Sequence, residues 1–79
     1  MFKRRLGISP QERNPQCVGC CECPDIWELD GGDFAVIGVD ITSDAGKLPP
    51  TAGCSPDERM VRIPRELLVR AKNDIPDTV

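Results

Sequence analysis

Five cysteines are the residues of this 79-residue chain best suited to chemistry, and four of them lie within seven positions. Cys17 and Cys20 form a C-x-x-C pair, Cys21 and Cys23 form a C-x-C pair, and Cys54 follows after 30 residues. A C-x-x-C turn brings two thiolates onto one metal ion, and four thiolates are the ligand set that structural Zn²⁺ prefers. We therefore predict a zinc site with four ligands and one substitute: Cys17, Cys20, Cys23 and Cys54, with Cys21 as the substitute ligand.

The same spacing is compatible with other thiol chemistry. A standard zinc ribbon has two separated C-x-x-C pairs and this chain has one, so a Cys17–Cys23 disulfide or free thiols stay as alternatives. An iron–sulfur cluster would be very exposed on one short loop, and Cu(I) would favour the crowded C-C-x-C stretch. A redox C-x-x-C normally begins a helix within an α/β fold, which the pattern around Cys17 does not predict. The absence of histidine excludes Cys–His dyads and His-containing metal sites.

The apolar pattern predicts a small α+β unit of β-β-β-α order after this cysteine-rich loop. Residues 26–30 alternate between apolar and polar side chains, and the Gly31-Gly32 dipeptide follows them. Two adjacent glycines supply the positive φ angles of a two-residue hairpin turn. We therefore predict a hairpin over 26–41 in which Leu29 lies opposite Phe34.

A third strand and a helix complete the predicted unit. Residues 60–63 alternate as a short strand, and Pro64 suits the first turn of a helix because its missing N–H costs nothing there. We predict this helix over 64–73. The predicted core consists of nine side chains: Trp27, Leu29, Phe34, Val36, Val61, Ile63, Leu67, Leu68 and Ala71.

The chain divides into a predicted flexible tail over residues 1–16 and a single small domain over residues 17–79. The tail segment combines a glycine and two prolines with polar residues and shows no apolar periodicity. A chain with so small a core usually gains stability from a metal ion, a disulfide or a partner subunit. The small size of the core and the cysteine spacing therefore point the same way.

The net charge of −3 is unevenly distributed. Residues 17–58 carry one lysine against nine acids, whereas the segments on both sides are net basic. The sequence pI of about 4.8 argues against nucleic acid as a partner. No apolar run approaches the roughly 18 residues of a membrane span, and no export signal follows the basic start, so we expect no membrane partner and a cytoplasmic location.

Two segments cover the predicted hairpin and the strand–helix element: CPDIWELDGGDFAVIGVDIT (23–42) and DERMVRIPRELLVRAK (57–72). Together, over about half of the chain, they resemble a group of short actinobacterial proteins of unassigned function. Genes of that group often lie beside those of helix-turn-helix regulators, so the resemblance implies an accessory or regulatory role and no catalytic residues. The shorter segment RMVRIPRELL (59–68) is similar to the strand–Pro–helix element of AbrB-type antitoxin DNA-binding domains.

These observations predict a small non-enzymatic protein-interaction or regulatory module, stabilised by a Cys-ligated zinc, whose partner is a protein such as a transcriptional regulator. The Arg-rich last helix or the open edge of the hairpin is the expected contact. One alternative is a thiol-active or metal-handling protein that uses the CVGCCEC loop, which several fast-reacting thiols would reveal. The other is an antitoxin-like DNA-binding dimer, whose DNA binding would weaken steeply with salt.

Overall fold

The structure, a computed structural model, describes residues 1–9 and 24–78. Its elements follow in chain order: β1 (Phe2–Arg5), β2 (Asp25–Leu29), β3 (Phe34–Ile37), β4 (Val39–Asp40), a 3-10 helix (Thr42–Lys47), β5 (Val61–Arg62), α1 (Arg65–Ala71) and a 3-10 turn (Lys72–Asp74). The first three strands form one antiparallel sheet in the order β1-β2-β3, and β4 pairs with β5. The α+β prediction is thus confirmed. None of the helices in these two ranges has the length and apolar character needed to cross a membrane.

The beginning of the chain is a strand of the sheet, so the predicted flexible tail is wrong for residues 1–9. β1 pairs with β2, and the Leu6 amide extends the pairing by donating to the Ile26 carbonyl at 3.0 Å. Leu6 itself is fully buried. Three consecutive basic residues suggest a solvated tail when the sequence is considered locally, but two of them meet acids on β2. Residues 10–16 lie outside the described ranges.

The hairpin forms where the sequence predicts it, with a register that differs by one residue. Leu29 lies opposite Asp33 rather than Phe34, because the loop contains three residues instead of two. The Leu29 amide donates to the Asp33 carbonyl at 2.8 Å, and the Gly32 amide donates to the Leu29 carbonyl at 3.0 Å. Only Gly32 of the two loop glycines has a positive φ, +96°, as the bulge position of a three-residue hairpin loop requires.

This shift separates residues that were predicted to share the core face. Since side chains alternate along a strand, a one-residue slip sends half of the set to the other side of the sheet. Trp27 and Leu29 lie on one face, while Phe34 and Val36 share the opposite face with Ile26. Phe34 and Val36 are 43% and 44% exposed, so their predicted place in the core is wrong.

The core is smaller than predicted and includes the start of the chain. Its buried hydrophobic members are Leu6, Ile26, Leu67 and Ala71, with Ile63 packed against them. The predictions for Leu67 and Ala71 are confirmed, whereas Leu68 is 54% exposed. A seven-residue helix on a narrow sheet buries one stripe of residues spaced four apart, and the residue next to Leu67 points away from it.

Helix α1 crosses one end of the three-stranded sheet. Ile63, just before the helix, lies beside Gly38 at the end of β3. At the other end of α1, the backbone of Ala71 lies against Gly7, which follows β1. The Gly7 amide also donates to Asp74 Oδ2 at 2.7 Å, which holds the chain beyond the helix to the sheet. Consequently, on the sheet face against which α1 packs, the part nearer to the hairpin loop is not covered by the helix.

Gly38, between β3 and β4, lies where a side chain has no room. A Cβ atom there would be 2.5 Å from the Arg62 carbonyl oxygen and 2.8 Å from Ile63 Cγ2. We expect Gly38→Ala to lower the free energy of unfolding by about 2 kcal/mol, because the backbone of the crossing segment must move. Urea denaturation measures the change.

Gly46→Ala is the matched control for this prediction. Apart from its chain neighbours and the backbone of its own helix, no atom lies within 4 Å of a Cβ at Gly46. We expect its free energy of unfolding to stay within about 0.5 kcal/mol of the parent. A similar loss in both variants would show that the close approach at Gly38 is not the cause.

Candidate functional site

The predicted metal ligands are only partly within the described chain. Cys17, Cys20, Cys21 and Cys23 lie outside the described residues, and Cys54 is the one ligand candidate that has a position. Within residues 1–9 and 24–78, no group of three or more His, Cys, Asp or Glu side chains is placed to hold a metal ion. The zinc site therefore stays a prediction.

Cys54 lies partly buried in the loop between the 3-10 helix and β5, as a free thiol. Its Sγ donates to the Glu58 carbonyl at 3.5 Å. Glu58 also organises this turn, because its carboxylate accepts from the Ser55 amide at 2.8 Å while its own amide donates to the Ser55 carbonyl at 2.9 Å. The thiol faces an open depression of about 450 Å³ that is lined by Leu48, Gly53, Cys54, Glu58, Arg59 and Met60.

Asp40 and Thr42 fix the loop to the second sheet. The Thr42 amide donates to Asp40 Oδ1 at 2.9 Å, and Thr42 Oγ1 accepts from the Met60 amide at 2.9 Å. Hydrogen bonds from the side chain and then the backbone of Thr42 hold the pKa of Asp40 below its ordinary value of 3.8, and the charge of Arg59 acts in the same direction. The Asp40 carboxylate is therefore part of the loop's structure in its ionised form.

The lowered pKa of Asp40 gives a pH dependence with a defined sign. Since the folded pKa lies below the unfolded value near 3.8, this carboxylate stabilises the fold above pH 3.8. That contribution is lost as the pH falls through the folded pKa. We expect an NMR titration of the Asp40 carboxyl carbon to show a midpoint below 3.8 that rises in Thr42→Val. An unchanged midpoint in Thr42→Val would contradict this assignment.

The face of the sheet opposite α1, which we call the open face, carries an ordered group around Trp27. Asp25 Oδ2 accepts from Trp27 Nε1 at 2.8 Å, and both Asp25 oxygens accept from Arg5 Nε at 3.0 Å. The Arg5 guanidinium carbon lies 4.6 Å from the centre of the Trp27 ring. Asp25 is buried, so one carboxylate fixes both the indole and the guanidinium stacked on it.

Apolar side chains surround this group. Phe2 packs edge-on against Trp27, with ring centres 6.1 Å apart, and is 58% exposed. Ile37, paired with Asp25 across the strands, is 52% exposed, and Ala35 lies directly opposite Trp27. The open face is thus an apolar surface with a fixed aromatic–cation pair at its centre. Trp27 was predicted to be core, and the structure places it at this surface, half-buried.

The basic residues of the last strand and helix form no comparable group. Arg62, Arg65, Arg70 and Lys72 are all exposed. Arg70 Nη2 lies 3.7 Å from Glu66 Oε2, which is the i,i+4 pair expected on a solvated helix face. An exposed pair of this kind contributes little, so this surface offers charge without a fixed arrangement.

Sequence analysis missed Arg5 and Asp25 because Arg5 lies in the predicted tail over 1–16 and Asp25 precedes the predicted hairpin over 26–41. The sequence did contain one signal, which was the complementary charge of two segments that are 20 residues apart. Arg4 and Arg5 follow each other on β1, and their partners Glu28 and Asp25 are both nearly buried on β2. A basic pair and an acidic pair in two extended segments indicate cross-strand ion pairs, provided that the segments are recognised as neighbours.

We compared the chain with models of protein families, with curated protein sequences and with solved structures. None of the three comparisons found a match. The assignment of a function therefore depends on the geometry of the chain itself.

Proposed function

We propose that this chain is a small non-enzymatic protein-interaction module whose partner docks on the open face of the three-stranded sheet. The observation that carries the proposal is the Trp27 ring, held by Asp25 and stacked under Arg5 within an apolar surface. Tryptophan and arginine are the residue types most enriched among the side chains that dominate binding energy at protein interfaces.

The rigidity of this group supports the proposal. Side chains that must be ordered on binding lose rotamer entropy, which weakens association. Here Asp25 accepts hydrogen bonds from both Trp27 and Arg5, so the two are already ordered in the free chain. The neighbouring Phe2 and Ile37 add apolar area that is more than half exposed. A partner that presents apolar side chains would therefore bind this surface with little further loss of rotamer entropy at Trp27 and Arg5.

Paired variants of the exposed apolar residues test the proposed face. Immobilised parent chain and the double variant Phe2→Ser/Ile37→Ser are used to capture proteins from an extract of the cells that make it. A captured protein is then purified and titrated against the chain with Trp27 fluorescence as the readout, since Trp27 is the only tryptophan. We expect the titration to change the Trp27 emission and the double variant to bind at least tenfold more weakly.

Val69→Ser is the matched control, because Val69 is 54% exposed on α1, on the other side of the sheet. Its affinity for the captured protein should equal that of the parent chain. Equal affinity of all three chains, or an unchanged Trp27 emission, would contradict the open face as the docking surface. Failure to capture any protein would count against the interaction function itself.

Two inferences from the sequence guide the search for the partner. The resemblance to proteins encoded beside helix-turn-helix regulators makes a transcriptional regulator the first partner to test. The absence of a fixed basic surface in the described chain gives no support to a nucleic-acid partner, and an electrophoretic shift assay at low salt checks that alternative.

The predicted zinc enters this proposal as a stabilising element. Its support is the C-x-x-C spacing of Cys17 and Cys20 together with a core that has only four buried hydrophobic residues within the described ranges. We expect native mass spectrometry to find one zinc per chain, which a chelator removes, and Cys20→Ser to lose the zinc and melt at a lower temperature. A reduced parent chain without zinc would contradict the site.

Serine variants of the other cysteines assign the remaining ligands. Cys54→Ser should release the zinc as Cys20→Ser does, whereas Cys21→Ser should retain it. If Cys54→Ser retains the zinc and Cys21→Ser releases it, the site uses the N-terminal cysteines alone. The same spectra report a disulfide as a loss of two mass units, so the disulfide alternative is measured together with the zinc.

A further inference from the structure

Within residues 1–9 and 24–78, strand β3 leaves backbone hydrogen-bonding groups unpaired along one edge of the three-stranded sheet. Leu29 and Asp33 form the bonded pair that closes the hairpin, and bonded pairs alternate along an antiparallel ladder. The backbone groups of Ala35 and Ile37 therefore point to β2, and those of Phe34 and Val36 point away from it. We call this outward row the β3 edge. No backbone bond within the described ranges is recorded for Phe34 or Val36 outside this ladder.

The β3 edge lacks the features with which proteins usually block strand addition. Such edges normally carry a lysine, a proline or an inward-pointing charge. The stretch from Phe34 to Val39 contains no charged residue and no proline. Its four large apolar side chains are all 43% to 52% exposed: Phe34, Val36, Ile37 and Val39. An edge of this composition is suited to pairing with another strand.

We propose that the β3 edge binds the β3 edge of a second copy of this chain, which joins the two sheets into one antiparallel sheet of six strands. The two-fold axis passes between the Val36 residues of the two copies, so that each donates to and accepts from the other. In this register Phe34 of one copy lies opposite Gly38 of the other. The interface is isologous and closes on itself, as most soluble homodimers do.

The charges at the two ends of the edge favour a second copy as the occupant. Asp33 precedes β3, and Arg62 lies opposite Val39 on the neighbouring strand β5. Neither Asp33 nor Arg62 has an ion pair within residues 1–9 and 24–78. In the antiparallel register above, Asp33 of each copy lies opposite Val39 of the other copy. Arg62 of that other copy is paired with this Val39, so Asp33 and Arg62 lie on the same line across the joined sheet. The two-fold axis thus brings Asp33 of each copy toward Arg62 of the other copy.

The same pairing compensates for the small core and places both open faces on one side. Only four hydrophobic residues of the described chain are fully in the core, and small domains often gain stability by oligomerisation.

Because the axis is perpendicular to the sheet, the Trp27 groups of both copies face the same direction. The four-residue strand makes a small interface, so we expect a reversible dimer that forms in the micromolar range.

Sedimentation velocity and hydrogen exchange on the full reduced chain test this inference. We expect the mass to rise from monomer to dimer over about a hundredfold increase in concentration. Over the same range the amides of Phe34 and Val36 should become protected at least tenfold, while those of Ala35 and Ile37 are protected throughout. A monomer at every concentration, or a dimer in which Phe34 and Val36 exchange rapidly, would overturn the proposal.

Substitutions test whether the β3 edge, rather than another surface, forms the dimer. None of them removes a backbone hydrogen bond of the β2–β3 ladder. Val36→Lys should keep the chain monomeric, and the control Val69→Lys on α1 should dimerise as the parent does. Asp33→Lys should weaken the dimer by about tenfold, and Asp33→Lys/Arg62→Glu should restore it. A Val36→Lys chain that still dimerises would refute the edge. Loss of dimerisation without loss of partner binding in this variant would leave the proposed function intact.

Discussion

Leu67→Ala should lower the free energy of unfolding by about 3 kcal/mol, which is a large part of the total stability. Leu67 is fully buried against Leu6, Ile26 and Ala71, and truncation of such a leucine removes its transfer free energy and leaves a cavity. Domains of this size have a total free energy of unfolding of only about 5 to 10 kcal/mol. Urea denaturation followed by Trp27 fluorescence measures the effect, since Trp27 lies on the other side of the sheet.

The neighbouring Leu68→Ala is the control for this result. It deletes the same atoms from a side chain that is 54% exposed, so we expect a loss of no more than about 0.5 kcal/mol. The sequence alone predicts equal losses, because it assigns both leucines to the core. Equal measured losses would therefore refute the placement of α1 on the sheet.

Arg5→Met should also destabilise the fold by about 3 kcal/mol, even though Arg5 lies near the start of the chain. Methionine keeps the apolar stem and removes the guanidinium that forms the ion pair with Asp25 at 3.0 Å. Asp25 is only 7% exposed and cannot regain full hydration, and a buried charge without its partner is strongly destabilising. The loss of the stacked guanidinium should in addition change the Trp27 emission of the folded chain.

Arg70→Met tests whether the effect at Arg5 arises from burial of the ion pair. Arg70 forms an ion pair with Glu66 at 3.7 Å in which neither side chain is buried, so its loss should cost no more than about 0.5 kcal/mol. The stability loss of Arg5→Lys should lie between those of Arg5→Met and Arg70→Met. Lysine keeps the charge but lacks the planar guanidinium that contacts both carboxylate oxygens. Equal stability of Arg5→Met and Arg70→Met would mean that burial of Asp25 does not strengthen its ion pair with Arg5.

The hairpin shows how far local sequence signals reach. The Gly31-Gly32 dipeptide correctly indicates a turn between two strands, since only a few residue types accept a positive φ. It does not determine which glycine takes that conformation. The three-residue loop places Gly32 alone at positive φ, and this choice moves Trp27 from the predicted core to the open face. A difference of one residue in the turn thus decides which surface is available for binding.

The candidate site was less predictable than the elements that carry it. Trp27 and the β3 segment are visible in the sequence as an aromatic residue and an apolar run, and Trp27, Phe34 and Val36 were assigned to the core. The exposure of Phe34 and Val36 depends on the length of α1 and on its position across one end of the sheet, whereas Trp27 lies on the face that α1 does not cover. The cysteines, which gave the strongest chemical signal, lie mainly outside the described residues, so the zinc prediction still awaits its experiment.

The sequence by itself determined the α+β class, the hairpin, the strand before Pro64 and the helix after it. These features depend on alternation, turn chemistry and the fixed φ of proline, all of which act over a few residues. Only the tertiary structure decided the register, the recruitment of residues 2–5 as a strand and the burial of Leu67 but not Leu68. Those outcomes depend on contacts between residues that are 20 or more positions apart, such as Arg5 with Asp25, which no local pattern encodes.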